Sequence, residues 1–219
     1  MITPYGDPIS RAHRVVWMLK ELGLSYEHVP TNFLDGSTHA PDFLRINPNG
    51  RVPALVDGEL TLFESLAINL YLAKRYGGPL APVDAGEDAL AMQWTLWTTT
   101  EIEKPLLLST ANLILFAPEE RRPEEVDVML QQLARPFAVL DAHLRPQASL
   151  FGNRFTVADL NVSAVLMLAP LSGMDRTAWP AMNDWAFRCL ERPAAAEWQS
   201  IKFSVPRPEG HLGMLKVFV

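Results

Sequence analysis

The sequence predicts an α/β domain followed by an all-helical one, and three observations carry that expectation. Residues up to Tyr76 alternate short strand signals with helix signals. A break rich in glycine and proline, Gly77-Gly78-Pro79-Leu80-Ala81-Pro82, follows. Beyond it, apolar residues recur at helical spacing and no strand pattern is convincing. The expected partition is a first domain over residues 1–78, a linker over 79–86, a helical domain over 87–202 and a tail over 203–219.

Ile2 to Tyr5 is a short strand candidate. Ser10 to Leu22 reads as a helix, with Val15, Met18, Leu19 and Leu22 on one face and Gly23 just past its end. Tyr26 to Val29 is a second strand candidate, Phe33 to Thr38 a loop and Pro41 to Ile46 a short helix. Ala54-Leu55-Val56 reads as a buried strand, Asp57-Gly58 as a hairpin turn, and Leu60, Leu62 and Phe63 as another strand. Glu64-Ser65 then opens an apolar helical run to Tyr76. The order β-α-β-α-β-β-α joins a parallel unit to an antiparallel edge, the outline of a thioredoxin-like domain.

In the second half, Glu87 to Phe116 reads as one long helical stretch that Pro105 should kink or split. Pro123 to Leu144 is a helix opened by Pro-Glu-Glu, with Pro136 inside it. Thr156-Val157-Ala158-Asp159 is a capping box opening a third helix, with Phe155 and Leu160 placed as a hydrophobic staple. Trp179 to Glu191 makes a fourth and Pro193 to Ser200 a short fifth. The tail from Val205, with Pro206, Pro208, Gly210 and Gly213, is expected to be irregular.

Composition excludes several function classes. A formal charge of −6 leaves no electrostatic footprint for nucleic acid. No apolar run is long enough to span a bilayer, and the N-terminus lacks a signal-peptide pattern. The single cysteine, Cys189, rules out an internal disulfide and fits a reducing cytoplasm. His13, His28, His39, His143 and His211 stand at no metal-ligand spacing, so no metal is expected.

The densest chemistry lies in Asn47 to Ser65. Asn47-Pro48-Asn49-Gly50 must bend the chain. Proline 53 tolerates a cis peptide and fits a strand start, and it pushes Val52 into an extended shape. An extended residue there leaves its N–H and C=O free to pair with a ligand backbone. The start of the helix at Ser65 suits a carboxylate, because its N–H groups are unpaired and the helix dipole is positive there. Glu64 can face an ammonium group, so a ligand with an amino-acid head group satisfies both. The plainer reading is a hairpin and a capped helix. Ser10 likewise reads first as a helix N-cap.

Taken with the two-domain layout, four motifs resemble the cytosolic glutathione transferase family. They are Tyr5-Gly6-Asp7-Pro8-Ile9-Ser10 with Arg14 to Leu19 and Glu21 to Leu24; Asn47 to Pro53; Leu62-Phe63-Glu64-Ser65 with Ala67-Ile68; and Phe155 to Leu160. Their order and spacing cover nearly the whole chain. The likeness is to serine-type bacterial members with a theta- or phi-like N-terminal motif. It implies glutathione as co-substrate, with a cis bond before Pro53, backbone pairing at Val52, and the γ-glutamyl head group on Glu64 and Ser65. It also implies that Ser10 activates the thiol, ahead of Tyr5, which lies in the strand. Arg51 falls where a side chain reaches the glycyl carboxylate. Relatives often place His or Gln at the position of Thr38, whereas here His39 comes one residue later, so His39 is included as a glutathione contact. Arg11, His13 and Arg14 are expected on a solvated basic face that raises the local potential for an anion.

The electrophile site is expected between the domains. Its candidates are Trp94, Trp97 and Thr98, with Met214, Leu215 and Phe218 of the tail as cover, although aromatics at helical spacing are more often core. The implied function is conjugation of glutathione to a small hydrophobic electrophile in cytoplasmic detoxification, by a homodimer. Alternatives are a glutathione-dependent isomerase, dehalogenase or peroxidase, or a binding module without catalysis. The absence of cysteine from the first half argues against thiol-disulfide exchange.

Overall fold

A computed structural model describes residues 1–114 and 116–196. Three strands, β1 (Ile2–Tyr5), β2 (Ala54–Asp57) and β3 (Leu60–Phe63), form an antiparallel sheet in the order β1-β2-β3. Ile2 stands opposite Asp57, and Ala54 opposite Phe63. Gly58, at φ +62, makes the hairpin turn that Asp57-Gly58 announces.

The expected second strand is present in direction but not as a regular strand. Tyr26 and Val29 form isolated parallel bridges to Ile2 and Tyr5. Glu27 N–H donates to the Ile2 carbonyl at 2.9 Å, Val29 N–H to Pro4 at 3.0 Å, and Gly6 N–H to Val29 at 3.1 Å. The rung missing from this ladder is the one Pro4 would donate, and proline has no N–H.

Helices α1 (Ala12–Glu21), α2 (Pro41–Ile46) and α3 (Ser65–Tyr76) complete the first domain. Eight successive residues of α1, Ala12 to Leu19, are buried. A helix buried all round must be packed on several sides. Here α1 lies against both α3 and the second domain.

The long stretch after the linker is split as Pro105 requires. Helix α4 (Ala85–Thr98) passes through a π-helical turn, Thr99–Glu103, into α5 (Lys104–Ile114). Hydroxyls take up carbonyls there: Thr99 Oγ1 donates to Thr95 at 2.9 Å and Ser109 Oγ to Pro105 at 2.7 Å. Then follow α6 (Pro123–Leu144), α7 (Val157–Leu166) and α8 (Pro180–Leu190). All ten residues of α7 are buried, so it is the central helix of the domain.

Thr156 caps α7, accepting from Ala158 N–H at 3.3 Å, while Asp159 reaches back to Thr156 N–H at 2.9 Å. Asp159 also accepts from Leu150 N–H at 2.8 Å and Trp185 Nε1 at 3.0 Å. One carboxylate therefore ties the start of α7 to the preceding loop and to α8. Phe155, just before the cap, stacks on Trp17 of α1 at 6.4 Å. Of the expected fifth helix, residues 193–196 are described, and Pro193–Ala195 form a 3-10 turn. Met214, Leu215 and Phe218 lie outside the described residues.

Candidate active site

The site is assembled where the turn after β1 meets the loop before β2. Gly6 makes this approach possible. At φ +133, a Cβ there would stand 2.7 Å from Ala12 Cβ and 3.0 Å from Val52 Cβ. The next residues form a tight turn. Asp7 Oδ1 accepts from Ile9 N–H at 3.1 Å, and the Asp7 carbonyl accepts from Ser10 N–H at 2.8 Å.

Ser10 is half-buried in that turn. Its hydroxyl accepts from Ala12 N–H at 3.1 Å and donates to the Asp7 carbonyl at 2.6 Å. The first bond takes up the first N–H of α1, but Ser10 is not the expected N-cap: the helix begins at Ala12 and its N-cap is Arg11, which makes no side-chain cap bond. The second uses a neutral acceptor, which an anionic sulfur would outcompete, since charge-assisted bonds are the stronger. The backbone carbonyl of Ser10 is held in turn by His13 Nδ1–H at 2.6 Å. Burial, and then the adjacent Arg14, push the His13 imidazole down to about 3, so it is neutral at physiological pH.

The solvated basic face expected of Arg11, His13 and Arg14 is not what forms. Arg14 is 2% exposed. Its Nη1 donates to Glu103 Oε1 at 2.8 Å, and Arg11 Nε donates to the same oxygen at 2.8 Å. Glu103 ends the π-helical turn of the second domain. Burial alone would push the Glu103 carboxyl up. Arg14 and Arg11 outweigh that and hold it below the usual range. The counter-charge comes from 89 residues further along the chain, which is why local spacing did not reveal it.

Before β2, Asn47 builds the turn. Its Nδ2 donates to the Arg51 carbonyl at 2.6 Å, its Oδ1 accepts from Asn49 N–H at 3.1 Å, and its carbonyl accepts from Gly50 N–H at 3.0 Å. The Val52–Pro53 bond is cis and Pro53 is buried. Among the described residues, neither the N–H nor the C=O of Val52 has a hydrogen-bond partner. Arg51 is exposed. His39 is exposed too, and its Nε2 stands 3.1 Å from where a Cβ on Gly50 would be. Thr38 is buried, with Oγ1 3.1 Å from His39 Nδ1.

After β3, Glu64 is exposed and takes φ +70. A non-glycine residue held at positive φ costs on the order of 1–3 kcal/mol. The first N–H groups of α3, from Ser65 onward, have no acceptor within the helix. Ser65 is buried, with Arg14 Nη1 at 3.4 Å from its Oγ.

Ser10, Val52, Pro53 and Ser65 thus share one region around the start of α1, with His39 beside the Arg51 turn. The interdomain candidates are placed differently. Trp94 packs on His143 at 4.7 Å and edge-on to Trp97 at 5.1 Å, and Thr98 is fully buried. These contacts run into the helical core. Among the described residues, no group of His, Cys, Asp and Glu could hold a metal ion.

Comparison with known proteins covers the stretches that hold these residues. Residues 3–74 match the model described as "Glutathione S-transferase, N-terminal domain", and residues 104–193 match "Glutathione S-transferase, C-terminal domain". The chain is 35% identical to Glutathione S-transferase 3 of Zea mays, over 93% of this chain and 94% of that protein. It is 33% identical to Glutathione S-transferase GstB of Escherichia coli strain K12, over 89% and 95%. Among solved structures it is similar to the theta class glutathione S-transferase of Xanthomonas axonopodis pv. citri with glutathione bound. The TM-score is 0.85, at 29% identity over 93% of this chain and 99% of that one.

Proposed function

The chain belongs to the glutathione S-transferase family, and from that premise we propose that it binds glutathione against its first domain and that Ser10 handles the sulfur. It is a glutathione transferase. The finer assignment rests on one observation: the Ser10 hydroxyl already accepts from Ala12 N–H and spends its proton on a neutral carbonyl. Turning that proton from Asp7 to a sulfur places a donor, backed by the positive end of α1, on the atom that must ionise. A free thiol has a pKa of about 8.5, and both influences lower it.

The other residues divide the peptide among them. Val52 offers its unused N–H and C=O to the cysteinyl backbone. Ser65 and the first N–H groups of α3 take the γ-glutamyl carboxylate, and Glu64 faces the ammonium. His39 and Arg51 supply positive or donor groups at the glycyl end, with the buried Thr38 supporting His39 rather than reaching outward. The thiolate then attacks an electrophilic carbon of a small hydrophobic molecule, forming a carbon–sulfur bond as the leaving group departs with its electron pair. This chemistry needs a reduced glutathione pool, so detoxification in the cytoplasm is the setting we assign.

We further assign a homodimer. Exposed apolar side chains occur on both β3 and α4, Leu60 and Phe63 on the one and Leu90, Met92 and Leu96 on the other, and Met92 and Leu96, four residues apart, share a face of α4. They lie on the first-domain edge and the long helix of the second.

Ser10→Ala tests the thiol assignment. Loss of the donor should lower kcat for conjugation of an aryl halide by about 100-fold while glutathione still binds. Unchanged turnover would remove Ser10 from the mechanism.

A further inference from the structure

Arg14 and Glu103 do more than join the two domains. One nitrogen of the guanidinium, Nη1, lies 2.8 Å from Glu103 Oε1 and 3.4 Å from Ser65 Oγ. Guanidinium can only donate, so Ser65 Oγ is the acceptor in the second contact. The Ser65 hydroxyl proton must then point elsewhere. Among the described residues it has no acceptor, although the residue is only 4% exposed.

A buried hydroxyl that accepts from a cation and leaves its own proton unspent is a polarised donor. It sits on the first residue of α3. The Arg14 main chain is fixed to the same helix, since its carbonyl accepts from Asn69 Nδ2 at 3.3 Å. Asn69 Nδ2 also donates to Asn161 of α7 at 2.9 Å. Arg14 is therefore held to α3 by its backbone and to the second domain by its charge.

We propose that Arg14 is a positioning residue for the glutathione head group: anchored by Glu103, it turns the Ser65 hydroxyl into an obligatory donor toward the γ-glutamyl carboxylate. This rests on the assignment of Ser65 to that carboxylate. It makes the helical domain a participant in co-substrate binding. A bare domain clamp predicts something else, namely a loss of stability with glutathione affinity intact.

Calorimetric titration with glutathione, on full-length variants whose thermal melts show them folded, decides the matter. Ser65→Ala should weaken binding about tenfold. Arg14→Met, which keeps the stem and leaves Glu103 paired with Arg11, should weaken it by a similar factor. The double variant should be no weaker than the weaker single one, because Arg14 acts through Ser65. Unchanged affinity in Ser65→Ala would overturn the head-group assignment itself. A loss in Ser65→Ala with none in Arg14→Met, or losses that multiply in the double variant, would overturn the role of Arg14 alone. Should Arg14→Met not fold, Arg14→Lys keeps the charge but not the fork. Arg14→Lys should weaken binding in the wild-type background and add no further loss in the Ser65→Ala background; full affinity in Arg14→Lys alone, or an added loss in the Ser65→Ala background, would refute the proposal.

Discussion

Ser10 and His13 carry the sharpest consequences at the scale of single residues. His13 is neutral because it is buried beside Arg14, and its pKa falls from 6.5 to about 3. The folded state therefore refuses a proton that the unfolded chain accepts. That stabilisation is complete above pH 6.5 and is lost as pH falls toward 3. The slope approaches about 1.4 kcal/mol per pH unit for one proton. Denaturant titrations at about pH 7 and about pH 5 should show this loss, and His13→Asn should flatten it. A wild-type curve that is flat over that interval would contradict a buried neutral imidazole. Ser10 was readable from its place before an apolar helical run. Its two hydroxyl bonds were not, because they depend on how Asp7 bends the turn.

At the scale of elements, short-range chemistry explains most of what forms. Asp57-Gly58 makes its hairpin, Pro105 forces a π-helical turn, and Thr156 with Asp159 opens α7. Pro4 shows the same logic in reverse, since the absent N–H reduces Tyr26 to Val29 to isolated bridges. The cap of α7 has a measurable weight. Asp159 accepts from Leu150, Thr156 and Trp185 while fully buried. Asp159→Ala should lower unfolding free energy by about 3 kcal/mol, because four buried donors, the Leu150 and Thr156 N–H groups, the Thr156 hydroxyl and Trp185 Nε1, lose their acceptor. A loss under about 1 kcal/mol in a denaturant melt would mean that other groups replace it.

At the scale of the whole molecule, α1 is gripped at both ends by the second domain. Arg11 and Arg14 meet Glu103 near its start, and Glu21 accepts from Nε and Nη2 of Arg192 at 2.6 and 2.7 Å near its end. The start of α1, next to the turn that carries Ser10, is therefore positioned by residues far along the chain. The exposed apolar pair on one face of α4, Met92 and Leu96, concerns assembly. Leu96 is 59% exposed there. In the proposed dimer, Leu96→Glu would bury a charge and should shift the protein toward monomer in sedimentation at micromolar concentration. A wild-type chain that sediments as a monomer would refute the dimer directly.

The sequence by itself determined the order of elements, the hairpin, the helix breaks and caps, and the motifs that gather into the first-domain site. These depend on turn chemistry, missing N–H groups and hydrophobic period, all of which act over a few residues. Only the tertiary structure decided that Arg11, His13 and Arg14 turn inward. A basic cluster stays in water unless a counter-charge is delivered to it, and Glu103 arrives from the other domain. In the same way, whether Trp94 and Trp97 face a cleft or the core is a choice between two sides of one helix. Periodicity shows that such a face is buried; packing against His143 decides what it is buried against.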